Sequence, residues 1–361
     1  MRLFQNIYVY PAYLRRWNAM PNSSATYSGR IGELVEDRYC GIHLLAPILT
    51  GSADAMLSSH SDRLCLDLWR AEQGIRDEMS PQDIICAQIE AHRADVFYTQ
   101  DPAQFGPEFL KRLPGCVKRR VCWQSPPAEP GDLTGYDLVM NNFPTSLQQY
   151  GAQGVRTAYF TPALDDRLLA IGARQERTVD VFFAGGYTRH HRQRAAILES
   201  VAAMHREFRI AFALDPSRLT RASESWLGHV LPIRRYRRPA EIQSVSRGPV
   251  FGMSMLETLA SAKIVLNAAV DSAGDDRGNM RCFEAMGMGA LMLSDRGNYP
   301  EGMCSGQTMV AYESPADAGR LVRELLGDDA RRQALASAGH ELMRERYNKA
   351  VQWERFVELC S

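Results

Sequence analysis

The chain has 361 residues, 45% hydrophobic and 23% charged, which is enough for two buried cores and excludes wholesale disorder. Lys+Arg and Asp+Glu number 42 each, and a zero formal charge argues against general nucleic-acid binding, which needs a basic face. One local basic run, Arg234-Arg235-Tyr236-Arg237-Arg238, reads more readily as a solvated loop than as a binding surface.

Short β-branched or aromatic runs alternate with helix-length segments, the pattern of parallel sheets with helical crossovers. Residues 3–10 read as a strand that stops at Pro11. Residues 81–92 read as a helix capped by Ser80, with Pro81 at its first position and Gln88 interrupting an isoleucine face. Strands follow at 95–99, 117–123 and 137–141. A hinge is expected at 162–178, after which the alternation starts afresh. It runs strand 178–184, a Gly185-Gly186 turn, helix 190–205, strand 208–214, helix 253–262 and strand 263–268. Helix 279–287, strands 290–294 and 308–312, and helices 315–326 and 330–347 complete the second unit. The last segment, 351–359, is a short amphipathic helix. The expected domains are 1–163, 164–346 and a terminal helix, 347–361.

The eight cysteines are scattered without a Cys-x-x-Cys pair, so free thiols in a reducing cytoplasm are expected. The N-terminus lacks the apolar run and cleavage site of a signal peptide, and no stretch is long and apolar enough to span a membrane.

Two constellations carry chemistry. In the first, a buried strand runs into Gly185 and Gly186, and a helix follows whose start is crowded with Arg189, His190, His191, Arg192 and Arg194. Cations at a helix N-terminus oppose the dipole unless an anion lies there, so His191, Arg194 and the glycine amides suit a diphosphate. In the second, the strand 263–268 leads to a carboxylate-rich loop and then to Gly278, Asn279 and Met280, with Asn279 placed to cap the next helix. Glu284 follows among Met280, Phe283, Met286 and Met288, where a carboxylate needs partners. Ribose hydroxyls would satisfy it; a surface pair with Arg281 is the simpler alternative.

The string Asn279-Met280-Arg281, Phe283-Glu284-Ala285, Gly287, Gly289, Ser294-Asp295 resembles the donor-site helix of group 1 superfamily glycosyltransferases, and more narrowly their CgeB-like branch. Gly248-Pro249-Val250-Phe251-Gly252 with Leu256, the run from Ala262 to Asn267, and residues 179–186 with His191 and Arg194 extend the resemblance. Weaker matches at 10–14, 69–72, 94–96 and 136–139 carry it over nearly the whole chain. It implies an α/β GT-B fold: two facing Rossmann-like domains with a C-terminal helix crossing back to the first.

It further implies a glycosyltransferase that moves a sugar from a nucleoside diphosphate sugar to a hydroxyl of a glycan, lipid-linked or protein acceptor. Of that superfamily's Glu-x7-Glu motif, Glu284 matches the second, ribose-binding Glu. Asp276 stands at the first, against the transferred sugar, as a shorter carboxylate, and Asp275 or the Asn279 side chain are its alternatives. The phosphate role passes to His191 and Arg194, with Arg189 and Arg192 as substitutes. The catalytic set expected is thus Asp276, Asn279 and Arg194.

The donor set is Gly185, Gly186, His191, Arg194, Gly278, Asn279, Met280 and Glu284. No Asp-x-Asp triplet ends a strand, so no metal and no cofactor is expected, the dipole and cations serving the leaving diphosphate. Retention of configuration follows from the superfamily analogy. Tyr10, Tyr13, Trp123 and Gln124 are expected to line the acceptor side, and His43, His60 and Asp101 remain open as general bases. Partners are nucleotide sugar and acceptor, without nucleic acid or transmembrane segment and with room for peripheral membrane contact. The alternative is a non-catalytic sugar-nucleotide-binding or scaffold protein.

Overall fold

The structure, a computed structural model, describes residues 1–19, 24–124, 131–173, 176–188, 190–230, 232–270 and 274–361. The chain divides into two compact units, Met1–Ala163 with Lys349–Ser361, and Leu164–Asn348.

The first unit holds β1 (Leu3–Asn6), β2 (Ala55–Ser58), β3 (Val96–Thr99), β4 (Arg119–Trp123), β5 (Leu138–Asn141) and β6 (Thr157–Tyr159). They form one parallel sheet in the order β2-β1-β3-β4-β5-β6. Every residue of β1, β3 and β5 is buried, as expected of a parallel sheet covered on both faces. Phe4, Phe97, Phe105 and Phe109 pack with Ile84, Ile85 and Ile89 of the helix Pro81–His92. That helix begins as the sequence indicates, with Pro81 in its first turn and the Ser80 hydroxyl accepting from the Asp83 amide at 3.2 Å. Ser80→Ala is expected to cost about 1 kcal/mol, read as a shifted denaturation midpoint at unchanged slope.

The strand expected over 3–10 stops at Asn6, and Pro11 opens a helix, Pro11–Asn18, instead of ending a strand. Proline's missing N–H costs nothing at the first helical position. Arg30, fully buried, donates to both Asp62 oxygens at 2.6 and 2.9 Å and lies 4.0 Å from the Trp17 ring centre. The terminal helix, Lys349–Cys360, belongs to this unit. Lys349 Nζ donates to the Ile42 carbonyl at 2.8 Å, and Phe356 packs against Tyr98 and Phe160.

The second unit holds β7 (Val179–Gly185), β8 (Ile210–Leu214), β9 (Ser246–Arg247), β10 (Ala262–Leu266), β11 (Leu291–Asp295) and β12 (Val310–Tyr312). This sheet is also parallel, in the order β12-β11-β10-β7-β8-β9. Val181, Phe183, Ile264, Leu266, Leu291 and Leu293 meet Leu198, Val201, Leu321 and Val322 of the flanking helices. Gly289 takes a left-handed φ of 67°, and a Cβ there would stand 2.2 Å from the Gly172 carbonyl oxygen. This glycine of the expected donor-site string therefore serves backbone packing.

Candidate functional site

In the second unit the chain leaves β7 for β8 and β9, then recrosses to β10 on the other side of β7. The carboxyl ends of β7 and β10 thus flank a topological switch point, the place where open α/β sheets collect ligands. Both constellations singled out in the sequence follow these two strands.

After β7 the details differ from expectation. Gly185 is the last strand residue, paired with Leu214, and neither it nor Gly186 has positive φ, so no left-handed glycine turn follows the strand. Gly185 is sterically held, since a Cβ would meet the Phe183 ring at 2.9 Å, whereas Gly186 is exposed and open. The helix runs Arg192–Ala202, two residues later than expected at its start. His191 occupies the N-cap without a capping side-chain bond, and its amide donates to the Thr188 carbonyl at 3.2 Å. No acidic residue stands in the first turn. Arg194 reaches across to the β10 loop, donating to the Ala268 carbonyl from Nε at 2.9 Å and from its terminal nitrogen at 2.6 Å. It ties the helix after β7 to the segment after β10. Arg189 lies outside the described residues.

After β10, Gly278 takes φ 122° and delivers the chain to the helix Met280–Gly287. Asn279 sits at the N-cap but does not cap with its side chain. Its amide is held in a reciprocal pair with Asn267, both bonds 3.1 Å, and Cys282 donates to its Oδ1. Asn267 also donates to Ser294 Oγ at 2.9 Å, and Tyr312 donates to the Asn267 carbonyl at 2.7 Å. A buried polar network thereby fastens this helix to the ends of β10, β11 and β12. The first amides of the helix carry no side-chain cap and can donate to an anion.

The loop itself is braced by Arg277, whose Nε lies 2.6 Å from Asp295 Oδ2, while Asp295 Oδ1 accepts from the Ala269 amide at 3.0 Å. Asp275 and Arg277 pair through their backbones with Asn298, and between them Asp276 is buried at 3% exposure while Asp275 is exposed. Asp276 is thus about as buried as Glu284.

Glu284 is 4% exposed, and Arg281 NH1 donates to its Oε2 at 2.7 Å. The alternative pairing with Arg281 is therefore present, but inside the protein and not at its surface. Burial pushes the Glu284 carboxyl up from its ordinary value, with Arg281 opposing. Arg281 Nε is itself buried without a partner among the described residues, and NH1 also touches Met255 Sδ on the helix Gly252–Ala260.

In the first unit the switch point lies between β1 and β3. Of the four acceptor-side candidates only Tyr10 is exposed, at 50%. Tyr13 is buried, its ring stacked on Tyr39 and its hydroxyl donating to Asp37 at 2.8 Å. Trp123 is buried between His43 and Phe160, and the Gln124 carbonyl accepts from the Asn141 amide. Trp123 closes the strand expected over 117–123, and that strand is central, so its ring belongs to the core.

Of the candidate bases, His43 is buried, and burial followed by the nearby Lys349 charge drives it down to about 3, which keeps it neutral. His60 instead faces Asp101, Nε2 to Oδ2 3.2 Å, with Nδ1 against the Asn6 side chain at 3.3 Å. Asn6 in turn donates to Thr99 at 3.0 Å. The sequence offers His60 and Asp101 as separate candidates without joining them, and it assigns no role to Asn267, Arg277 or Tyr312. All eight cysteines are free, and among the described residues no cluster of metal-binding side chains stands together.

The glycosyl transferase-like family model matches residues 189–358. No curated protein matches the chain. Among solved structures it is similar to Anabaena HepE in complex with UDP and glucose, at 12% identity, TM-score 0.57 and 99% coverage of both chains. It is likewise similar to a glycosyltransferase from Rickettsia africae, at 10% identity and TM-score 0.59, with 99% of this chain and 97% of that one covered. Sucrose-phosphate synthase from Thermosynechococcus elongatus matches at 15% identity and TM-score 0.51 over 77% and 76% of the two chains. The two parallel sheets are those of the GT-B fold, and the C-terminal half carries a glycosyl transferase-like domain.

Proposed function

We propose that the second unit binds the diphosphate of a nucleotide sugar at the β7/β10 switch point, and that the enzyme transfers this sugar to an acceptor hydroxyl. The observation that carries the reading is Arg194, which reaches from the first turn of the helix Arg192–Ala202 to the segment after β10 that leads to the helix Met280–Gly287. The fixed positive charge of Arg194 and the amides at the helix starts counter the negative charge that grows on a departing diphosphate. Glu284 receives the ribose, and the amides of Gly278, Asn279 and Met280 line the donor. Transfer with retention and without a metal ion follows the same reading, as does a place in the CgeB-like branch. On the first unit, Tyr10 and the His60–Asp101 couple are the acceptor-side groups. The free cysteines fit a reducing compartment, and we place the enzyme in the cytoplasm.

Because the HepE complexes hold UDP, uridine nucleotides are the first ligands to test. Calorimetry should show UDP binding well above uridine, and incubation with a panel of UDP-sugars should release UDP slowly from one of them. Tight binding without turnover of any donor would instead make the protein a sugar-nucleotide-binding scaffold. After exhaustive chelation, UDP affinity and turnover are expected to stay within about twofold, since dipole and cations occupy the ion's place. A loss restored by magnesium or manganese would move Asp275 and Asp276 into a metal site.

A further inference from the structure

Between β8 and β9 the chain makes a small outgrowth: the helices Arg218–Glu224 and Leu227–Val230 and the 3-10 turn Arg234–Tyr236. It is held as a body by Arg238, which grips both Glu224 oxygens at 2.7 Å and so pins the turn to the first helix. The two large apolar side chains most exposed among the described residues both belong to it, Trp226 at 72% and Val230 at 73%. Leu219 is also exposed. The same outgrowth concentrates charge of one sign. From Asp215 to Arg247 there are seven arginines and three acids in a chain whose net charge is zero, and Arg238 occupies one of those acids. Arg218, Arg221, Arg234 and Arg235 are exposed.

A solvated basic loop has no physical reason to hold an indole in water. A sulfated or phosphorylated polymer would match the arginines but bury neither Trp226 nor Val230, and a nucleic-acid base stacked on Trp226 would still leave Val230 in water. An anionic lipid surface satisfies both, since indoles settle at the headgroup level and arginines are drawn to the negative surface potential. No helix among the described residues is long and apolar enough to cross a membrane, so such contact would lie on the surface. We propose that Trp226 and Val230, together with the exposed Arg218, Arg221, Arg234 and Arg235 of the same outgrowth, dock the second unit on an anionic lipid membrane. This inference does not rest on the donor-site reading.

Trp17, Trp69 and Trp123 are buried and Trp353 is half-buried, so the tryptophan emission offers a direct reporter for Trp226. The full chain should co-sediment with vesicles of phosphatidylcholine mixed with phosphatidylglycerol and not with phosphatidylcholine alone. Binding should weaken as salt rises, and emission should shift to the blue on binding. Trp226→Ala should lower partitioning by about tenfold and abolish the shift, and Arg234→Glu with Arg235→Glu should lower it at least as much. All these side chains are exposed, so thermal midpoints and UDP affinity should hold, which separates a failure here from a failure of the donor site. Equal partitioning onto neutral and anionic vesicles, no partitioning at all, or a Trp226→Ala variant that binds like the parent would overturn the proposal. Retention on heparin that the arginine changes abolish and Trp226→Ala leaves intact, without vesicle binding, would reassign the surface to an acidic polymer.

Discussion

Arg194→Ala is expected to lower turnover by about 10²–10³-fold, the scale seen when one preorganised charge-stabilising donor is removed from an active site. UDP affinity should fall at least about tenfold, or 1.4 kcal/mol, while uridine affinity should barely move. Turnover suffers more than binding because charge on the leaving diphosphate is larger in the transition state than in the bound donor. The structure adds a second role to be separated from this one. Arg194 also holds the Ala268 carbonyl, so its loss frees the loop that leads to Gly278 and Asn279. Arg194→Lys keeps the charge and gives up the two-pronged grip. If the lysine variant restores UDP affinity but uridine stays normal in both, the charge acts on the phosphates. Equal losses for UDP and uridine in the alanine variant would show that Arg194 only supports the loop. Unchanged affinity for both would remove it from the site and leave the phosphates to Arg192 and the amides before Met280.

How far the sequence could be read depended on whether a signal was local. Apolar runs such as Val179–Gly185 and Ala262–Leu266 declare themselves as strands because a parallel sheet buries both faces. The two-residue β9 and three-residue β6 offer no such run, and β2 opens half-buried, so none was visible. Ser80 was read correctly as a cap because its partner is three residues away. Asn279 stands at the right position but spends its amide on Asn267, twelve residues back just past the end of β10, a competition that only the folded sheet creates. The helix at Arg192 begins late for a related reason, since no capping side chain marks its start. Burial was equally out of reach. His43 and His60 look alike in the sequence, yet one is locked in the core against Trp123 and the other faces Asp101. Tyr13 and Trp123, read as platforms for a sugar, are walls of the first core.

Glu284 is where the site and the fold meet, and its substitutions should separate the two. Glu284→Ala leaves the Arg281 guanidinium buried without a carboxylate, and breaking a buried pair in this way should cost about 3–5 kcal/mol of stability. Loss of UDP binding in that variant would therefore be uninformative unless corrected for unfolding. Glu284→Gln retains an oxygen that can accept from Arg281 and should recover most of the stability. Its UDP affinity should nevertheless stay about 1–3 kcal/mol below the parent, the worth of hydrogen bonds to a charged acceptor. The pH dependence follows from the raised carboxyl. Between the ordinary value of 4.5 and the higher folded value, the folded state binds more protons than the unfolded chain, so stability falls as pH rises. The parent should therefore be most favoured relative to Glu284→Gln below 4.5 and lose ground as pH climbs through the folded value. Denaturant titrations of both proteins across that range would show this as a declining difference. A constant difference would mean that the carboxyl is not shifted by folding. Normal UDP affinity in Glu284→Gln would leave Glu284 as a structural partner of Arg281 and move the ribose elsewhere along the β10 loop.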